Sequence, residues 1–437
     1  MFDIIAKKRD SKILSYDELE FFVNGIVDKS ISDYQTTALL MAIYLNGMDG
    51  RETSDLCMLM ARSGDMMEFS EELITVDKHS TGGVGDKTSL IAGPICAAAG
   101  LTVAKMSGRA LGHSGGTVDK LESIPGFKVD MTVEEFEQAY RKTGICIAGQ
   151  SGNMVPADKI LYALRDVTAT IDCLPLIATS IMSKKLAAGA GNIVLDVKAG
   201  SGAFMKDAKS AFELAEKMVE IGVNNSRNIS ALITMMDAPL GYAVGNSLEV
   251  EEAVEILKGN GKDTDLYKVS TALAAELISM TQNIEATEAL KIAQNKISDG
   301  SALQKLKDMV SGQGGNVKAL DDFSLFKQPK NKYEILVKED GYLSELKAMG
   351  VGIVSMNLGA GRGKKTDTID YSAGIRLLKK PGDSVRIGEV LAVLYSDKKD
   401  LKIFAEEFLS ACEFSKEKPV MPPLILGRVS KNGSVTY

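Results

Sequence analysis

A glycine-rich segment, Lys78-His-Ser-Thr-Gly-Gly-Val-Gly-Asp-Lys-Thr-Ser89, combines residue types that can hold an anion. Glycines allow several backbone N–H groups to point at one ligand, and the N-terminus of a following helix adds partial positive charge. Lys78 can supply an ammonium group to such a site, and Ser80 and Ser89 can supply hydroxyl donors. The segment follows a short β-prone run at 73–77 and precedes an apolar stretch of helical character, as an anion-binding loop requires.

Two well-known phosphate loops do not match this segment. A Walker A loop has glycine directly before its Lys-Thr pair, but Asp86 precedes Lys87 and Thr88 here. A dinucleotide fingerprint read from Gly83 requires a third glycine at the position of Thr88. The alternative to an anion site is a structural turn between a strand and a helix, and the segment alone leaves both interpretations open.

A second segment of the same kind runs from Lys105 to Thr117 and includes Ser107. It again follows a short buried strand candidate, at 102–106, and is rich in glycine. In an open α/β sheet, neighbouring parallel strands deliver the loops at their carboxyl ends to one crevice. Two such loops that combine Lys105, Ser107 and Thr117 with the lysine and serines of the first segment predict a site for free phosphate.

The chain contains two histidines, and one of them lies inside the first segment. His79 is either a structural side chain or a proton donor next to the anion, since imidazole titrates near neutral pH. His113 lies among glycines of the second segment and is predicted to be structural, in contact with the same loops.

A third group of polar residues stands on two predicted helices between 156 and 188. Tyr162 and Arg165 share one helix face, and Ser180 and Lys184 lie one turn apart on the next helix. A guanidinium presents a rigid fork of donors that suits a planar ring edge with two acceptors. The spacing of these residues is equally compatible with a ring-binding site and with charged side chains on a solvent-exposed helix surface.

These residues must be positioned by more than one domain. Helical patterns dominate the start of the chain, where Ser15 and Glu18 have the spacing of a capping box. In the middle, β-prone runs at 73–77, 102–106, 145–148 and 192–197 alternate with helices, and short β-prone runs with turn signals follow. We predict an α/β protein with a small all-α domain, a larger α/β domain with a mixed, mostly parallel sheet, and a C-terminal α+β part that resembles the hammerhead hairpins of biotinyl and lipoyl carriers. The all-α domain is predicted over 1–66, with 156–188 returning to it. The central phosphate-binding domain is predicted over 67–155 and 189–330, and the C-terminal domain over 331–437.

Composition restricts the class of protein. The net charge of -7 argues against a general nucleic-acid binder, which usually carries a strong basic excess. We expect neither a signal peptide nor a membrane span, because no apolar run is long enough. The five cysteines are scattered without metal-binding spacing, which predicts reduced thiols and a cytoplasmic protein.

Four segments together resemble the thymidine and pyrimidine nucleoside phosphorylases, a family that shares its architecture with anthranilate phosphoribosyltransferase. The resemblance is dense from residue 1 to about 255 and looser to the end. The matching segments are Lys78-His-Ser-Thr-Gly-Gly-Val-Gly-Asp86, Ser107-Gly-Arg-Ala-Leu-Gly-His-Ser-Gly-Gly-Thr-Val-Asp-Lys-Leu-Glu122, Ala157-Asp-Lys-Ile-Leu-Tyr-Ala-Leu-Arg-Asp-Val-Thr-Ala-Thr170 and Asp196-Val-Lys-Ala-Gly-Ser-Gly-Ala-Phe-Met205. Ala110 replaces a glycine common in the family, and Ser114 stands where threonine is frequent.

The resemblance implies a homodimer in which phosphate cleaves a pyrimidine nucleoside, without an organic cofactor. It implies that catalysis depends on His79, Arg165 and Lys184, with His79 donating a proton or a hydrogen bond to O2 of the leaving base. It implies that Tyr162 and Ser180 join Arg165 and Lys184 around the pyrimidine. The residues that it implies for phosphate are Lys78, Ser80, Ser89, Lys105, Ser107 and Thr117.

Family members of the broader pyrimidine type also bind a monovalent cation such as potassium. The resemblance places that ion at Gly85, Lys87, Leu240, Ala243 and Glu252. The family often has threonine where Lys87 stands here.

Three alternatives stay open at this point. The chain resembles enzymes that act on uridine, thymidine and deoxyuridine, but a strict thymidine phosphorylase fits the same residues. A phosphoribosyltransferase of the same fold needs magnesium-binding acidic residues near the anion loops, for which Asp86 and Asp119 are the candidates. A nucleoside-binding protein without activity is the third.

Overall fold

The computed structural model describes residues 1–70, 72–109, 112, 115–150, 152–364 and 366–437. The predictions made for Ala110, His113 and Ser114 lie outside the described residues. The helices are α1 Phe2–Arg9, α2 Tyr16–Val27, α3 Asp33–Asn46, α4 Gly50–Arg62, α5 Ser89–Ala98, α6 Thr117–Glu122, α7 Val133–Thr143, α8 Pro156–Val167, α9 Leu174–Ala187, α10 Ala208–Asn224, α11 Asn246–Leu257, α12 Asp265–Gln282, α13 Ala286–Ser298, α14 Ser301–Gly312, α15 Ala348–Ser355 and α16 Lys402–Ser410. The strands are β1 Thr75–Ser80, β2 Thr102–Ser107, β3 Ile145–Gly149, β4 Asn192–Ala199, β5 Asn228–Met235, β6 Ala243–Val244, β7 Asn331–Leu336, β8 Gly341–Leu346, β9 Gly374–Leu377, β10 Ser384–Val385, β11 Val390–Ser396, β12 Cys412–Ser415, β13 Ile425–Ser430 and β14 Gly433–Thr436.

The N-terminal helices begin where the sequence places their caps. The Ser15 hydroxyl accepts a hydrogen bond from the Glu18 backbone N–H, and the Glu18 carboxylate accepts one from the Ser15 N–H. This reciprocal pair satisfies two backbone donors that the first helical turn leaves free. The predicted capping box at the start of α2 is therefore confirmed.

Helices α8 and α9 pack against the N-terminal helices although about 90 residues separate them in sequence. Helix α9 packs on α4 and α10, and α8 packs on α2 and α3. They share one apolar core that includes Leu19, Phe22, Leu161 and Met182. These contacts support the predicted return of 156–188 to the helical part, although the domain boundaries themselves stay a prediction.

A seven-stranded sheet with the order β14-β13-β5-β4-β1-β2-β3 forms the centre of the molecule. Strands β1 to β5 are parallel to one another. Strand β13 pairs antiparallel with β5, and β14 pairs antiparallel with β13 at the edge of the sheet. The mixed, mostly parallel sheet and the α/β fold class are confirmed. The two edge strands come from 425–436, a part of the chain that the prediction assigned to the C-terminal domain.

The remainder of the C-terminal region forms two small antiparallel sheets, with the orders β10-β8-β12 and β6-β9-β11-β7. Strand β6 comes from the central part of the chain and pairs with β9, so it connects the central region to the C-terminal region. Among the described residues, no helix is long and apolar enough to span a bilayer.

Candidate active site

The two glycine-rich loops leave the carboxyl ends of β1 and β2 and meet. Lys120 on α6 joins them, because its Nζ donates to the Asp86 backbone O at 2.7 Å and to the Gly115 backbone O at 3.1 Å. The Lys120 side chain is fully buried and also forms an ion pair with Glu249 at 3.1 Å. The prediction that the loops share one crevice therefore agrees with the structure.

Lys78 lies in a buried cluster of charges at the base of the first loop. Its Nζ lies 3.2 Å from Asp196 Oδ2 and 3.7 Å from Asp86 Oδ1, and it donates a short hydrogen bond to the Thr88 hydroxyl. Asp196 also pairs with Lys198 at 2.8 Å. Burial raises the pKa of Asp86, but the ammonium groups of Lys78 and Lys198 outweigh it and hold that pKa well below its usual range.

Asp77 holds two lysines from different parts of the chain. Its carboxylate accepts from Lys105 Nζ on β2 at 3.1 Å and from Lys185 Nζ on α9 at 2.8 Å. Lys105 also donates to the Lys78 backbone O at 2.6 Å. The helical part and the sheet thus meet at a buried carboxylate beside the predicted anion site.

Burial and the nearby ammonium groups lower the pKa values of Lys105 and His79. Burial, together with the ammonium groups of Lys185 and Lys78, lowers the pKa of Lys105 to about 8 against the opposing effect of Asp77. Burial, followed by the ammonium groups of Lys185 and Lys105, lowers the pKa of His79 well below 6.5. In the free protein His79 is therefore a neutral imidazole at pH 7, which can donate an N–H bond but carries no extra proton.

The predicted hydroxyl donors lie at the starts of helices and the ends of strands. Ser80 and Ser107 end β1 and β2, and Ser89 and Thr117 begin α5 and α6. Ser89 lines a buried cavity of about 10 Å³ together with Lys78 and Lys105.

Arg165 binds backbone rather than lying at the surface. Its Nε, Nη1 and Nη2 donate to the backbone O atoms of Thr170, Leu176 and Ile171 at 3.1, 2.9 and 2.7 Å. The side chain thus fixes the connection between α8 and α9. Three of its five N–H groups are used in this way among the described residues, which leaves two for a ligand.

Lys184 and Ser180 point to the same place, as their spacing predicted. Lys184 Nζ donates to Asp158 Oδ2 at 2.5 Å and to the Ser180 hydroxyl at 3.2 Å. The other oxygen of Asp158 is buried and has no hydrogen-bond partner among the described residues. Tyr162 is half exposed and lies one turn after Asp158 on α8.

The five residues implied for a monovalent cation also come together, but around a lysine. Lys87 Nζ donates to the Leu240 O at 3.0 Å, to the Ala243 O at 2.7 Å and to Glu252 Oε2 at 2.6 Å. Gly85 packs against the same loop, where a Cβ would meet the Leu240 O at 2.5 Å. The oxygens predicted for potassium therefore bind the Lys87 ammonium, and the cation prediction does not fit this chain.

Several residues at this site were not among the predicted ones. They are Asp77, Lys120, Asp158, Lys185 and Asp196. Two of them directly neighbour predicted residues, and the other three stand inside the segments that carry the family resemblance. A search for carboxylates able to pair with the predicted lysines would have pointed to Asp77, Asp158 and Asp196, but not to Lys120 and Lys185.

Family models match most of the chain. The helical bundle domain of the glycosyl transferase family matches residues 2–64, and the a/b domain of that family matches residues 72–303. The pyrimidine nucleoside phosphorylase C-terminal domain matches residues 342–415.

Curated relatives match over nearly the full length. The pyrimidine-nucleoside phosphorylase of Geobacillus stearothermophilus is 48% identical over 98% of this chain and 100% of its own. The protein of the same name from Bacillus subtilis (strain 168) is 49% identical over 92% of this chain and 93% of its own. That of Staphylococcus aureus (strain N315) is 46% identical over 97% of this chain and 98% of its own.

A solved structure shows the same fold at low identity. Anthranilate phosphoribosyltransferase from Thermus thermophilus superposes with a TM-score of 0.58 at 18% identity, covering 71% of this chain and 99% of that chain. At this identity the likeness shows a shared fold and carries no information on the reaction.

Proposed function

Since the chain belongs to the pyrimidine nucleoside phosphorylase family, we propose that it cleaves pyrimidine nucleosides with inorganic phosphate. The products are the free base and a pentose 1-phosphate. The observation that carries the proposal is the meeting of the two glycine-rich loops beside Asp77, whose carboxylate accepts from Lys105 on β2 and from Lys185 on α9. Phosphate is the co-substrate, and the reaction needs no organic cofactor.

Phosphate binding is assigned to the sheet side of the site. Lys78 and Lys105 supply positive charge there, and Ser80, Ser89, Ser107 and Thr117 supply hydroxyl or backbone donors at strand and helix ends. Because both lysines are paired with carboxylates in the free protein, the anion has to compete for them. We therefore expect phosphate binding to depend on rearrangement of this cluster.

Pyrimidine binding is assigned to the helical side. The two free N–H groups of Arg165 and the ammonium of Lys184 suit the carbonyl oxygens of a pyrimidine ring. Ser180 and Tyr162 complete this wall. Lys185 follows Lys184 directly and binds Asp77 on β1, so the helix that holds the base also contacts the phosphate side.

The chemistry follows from this placement. A phosphate oxygen attacks the anomeric carbon as its bond to N1 breaks, and the bonding electrons pass to the ring. Lys184 and Arg165 stabilise the developing negative charge. His79, neutral in the free protein, donates an N–H hydrogen bond to O2 of the departing base. The base then takes its proton from solvent after the bond has broken.

A phosphoribosyltransferase is the weaker alternative. Its magnesium would need Asp86 and Asp119, but Asp86 lies beside Lys78, and Asp119 binds Arg362 at 2.9 Å. Among the described residues, no group of three acidic, histidine or cysteine side chains is placed to hold a metal ion. Asp86 and Asp119 are thus already paired with basic side chains, which argues against their use as magnesium ligands.

The proposal includes a homodimer that forms through the helical part. Phe2, Tyr34, Leu45 and Val167 are each more than 70% exposed and lie on α1, α3 and α8, which pack side by side. An apolar face of this kind is typical of a protein interface. Light scattering after size exclusion should give a dimer mass for the native chain and a monomer mass for Leu45→Glu. Val420→Glu, at an even more exposed apolar position in the C-terminal region, is the control and should stay dimeric.

The activity test is direct. Purified protein is incubated with uridine, deoxyuridine or thymidine, with and without inorganic phosphate, and free base is measured by chromatography. We expect base release only with phosphate, and the three rates decide between broad and strict thymidine specificity. No release from any of the three nucleosides would refute the proposed function, and release that requires diphosphate and magnesium would favour the transferase.

A further inference from the structure

The side chain of Lys87 is fully buried and reaches away from the proposed phosphate site. Its three ammonium hydrogens have three oxygen partners, at 2.6 to 3.0 Å from Nζ. An ammonium group has three donors, so its capacity is used completely. Lys87 therefore has no donor left for a substrate.

The three oxygens would form a good site for a hard cation without this lysine. Two are backbone carbonyls, from Leu240 and Ala243, and the third belongs to the Glu252 carboxylate. Carbonyl and carboxylate oxygens are the ligands that alkali and alkaline-earth cations prefer. The carboxylate is itself fixed, because it accepts from the backbone N–H groups of Tyr242 and Ala243 at 2.7 and 2.9 Å.

A free monovalent ion does not fit beside this ammonium. It would have to occupy the position of Nζ to reach the same oxygens. Glu252 also supplies one negative charge, which Lys87 compensates at 2.6 Å. A second cation would leave a buried excess of positive charge, which is costly at low dielectric.

We propose that Lys87 is a built-in substitute for a monovalent cation, so that this enzyme works without potassium. In this inference, which rests on the proposed function, Lys87 is a positioning residue. It connects the first glycine-rich loop to the loop at 240–243 and to α11. Because Ala243 begins β6, which pairs with β9, the connection extends to the C-terminal sheet.

The residues next to Lys87 show what the connection positions. Asp86 and Thr88 flank it and contact Lys78, and Ser89 follows as the first residue of α5. The Thr88 hydroxyl donates to Asp86 Oδ1 at 2.6 Å. A displacement of the Lys87 side chain would therefore move the partners of Lys78 and the start of α5 together.

The test compares cations at constant ionic strength. Phosphate is supplied as its choline salt, and initial rates of uridine phosphorolysis are measured in potassium chloride and in choline chloride. The native chain should give the same rate in both salts. A native rate that rises saturably with potassium chloride overturns the proposal, and this comparison needs no variant.

Two variants separate the loss of the ammonium from the creation of an ion site. Lys87→Thr removes the ammonium and leaves room for an ion, whereas Lys87→Met removes the charge but fills the space. In choline chloride we expect both to lose about 10²-fold in rate, because a displacement of about 1 Å near the reacting groups costs that much. Potassium chloride should restore Lys87→Thr saturably and leave Lys87→Met impaired.

The thermal unfolding midpoint provides a readout that does not need activity. An ion that binds only the native state raises this midpoint. Potassium should raise the midpoint of Lys87→Thr over its value in choline, and should leave those of Lys87→Met and the native chain unchanged. A Lys87→Thr protein that responds to potassium in neither rate nor midpoint overturns the inference. If the native chain does not cleave nucleosides, the midpoints still decide on the ion site, so the two proposals can fail separately.

Discussion

The sheet side and the helical side of the proposed site hold their cationic side chains in different ways. On the sheet side, Lys78 and Lys105 are buried and paired with carboxylates. On the helical side, Arg165 is held by three backbone carbonyls, and Lys184 is a quarter exposed with one carboxylate partner. The sheet side is thus a charge-balanced cluster that an anion has to reorganise, whereas on the helical side two N–H groups of Arg165 have no partner among the described residues. Ligand binding should therefore change electrostatics on one side and add hydrogen bonds on the other.

The largest expected effect is a loss of stability when the negative charge of Asp77 is removed from the sheet side. Asp77→Asn leaves Lys105 and Lys185 buried without their shared carboxylate. Removal of one partner from a buried ion pair typically costs about 3–5 kcal/mol of unfolding free energy. Urea unfolding should show a loss of that order. Asp166→Asn, on the exposed face of α8, is the control and should change stability by less than about 0.5 kcal/mol. If the two variants are equally stable, Asp77 does not stabilise the buried Lys105 and Lys185 as proposed.

The second prediction distinguishes the roles of Lys184 and Arg165 on the helical side by comparing rate and stability. Lys184→Gln should lower kcat/KM for the nucleoside by about 10²-fold, since a donor to developing charge is lost. Its effect on stability should be smaller than that of Asp77→Asn, because Lys184 is partly exposed and the glutamine amide can still donate to Asp158. Rates and urea unfolding measured on the same preparations test this.

Arg165→Lys is the matched comparison, since it keeps the charge but loses the fork that holds Thr170, Ile171 and Leu176. Buried carbonyls that lose their donors cost about 1–3 kcal/mol each. This variant should therefore lose both rate and stability. If it loses only rate, the backbone contacts contribute little, and if Lys184→Gln keeps its rate, the assignment of the base wall is wrong.

The third effect is a pH dependence that belongs to the sheet side alone. The pKa of Lys105 is about 8, lowered by burial, so this lysine loses its charge as the pH rises above 8. Because kcat/KM reports the free enzyme, kcat/KM for phosphate should fall about tenfold per pH unit above pH 8. In Lys105→Arg the guanidinium stays charged, and this decline should disappear. A decline that is unchanged in the variant would show that another group titrates.

The smallest effect concerns Tyr162. Its ring is half exposed, and its hydroxyl forms no hydrogen bond to any described residue. Tyr162→Phe should change kcat/KM by about twofold or less, because phenylalanine keeps the ring of the base wall and removes only a hydroxyl without a partner among the described residues. A much larger loss would show that the hydroxyl binds the base directly and that the helical side closes further around it.

Local patterns predicted the fold well. The capping box at Ser15, the β-prone runs that became β1 to β4 and the apolar segment that became α5 all depend on neighbours within a few residues. Strand β5, at Asn228–Met235, was not predicted, although it lies near the middle of the sheet. Its sequence follows a long helix without a glycine-rich loop, so the signal that marked the other strands was missing.

The amino-acid sequence by itself determined which residues could do chemistry: two glycine-rich loops with lysines and hydroxyls, and a helix pair with an arginine and a lysine. Only the tertiary structure decided which partner each charged side chain has. The three oxygens that bind Lys87 lie 153, 156 and 165 residues further along the chain, and Lys185 reaches Asp77 across 108 residues. The reason is physical: a buried ammonium needs an oxygen partner, and phosphate, carboxylate and carbonyl all qualify, so the path of the chain makes the choice.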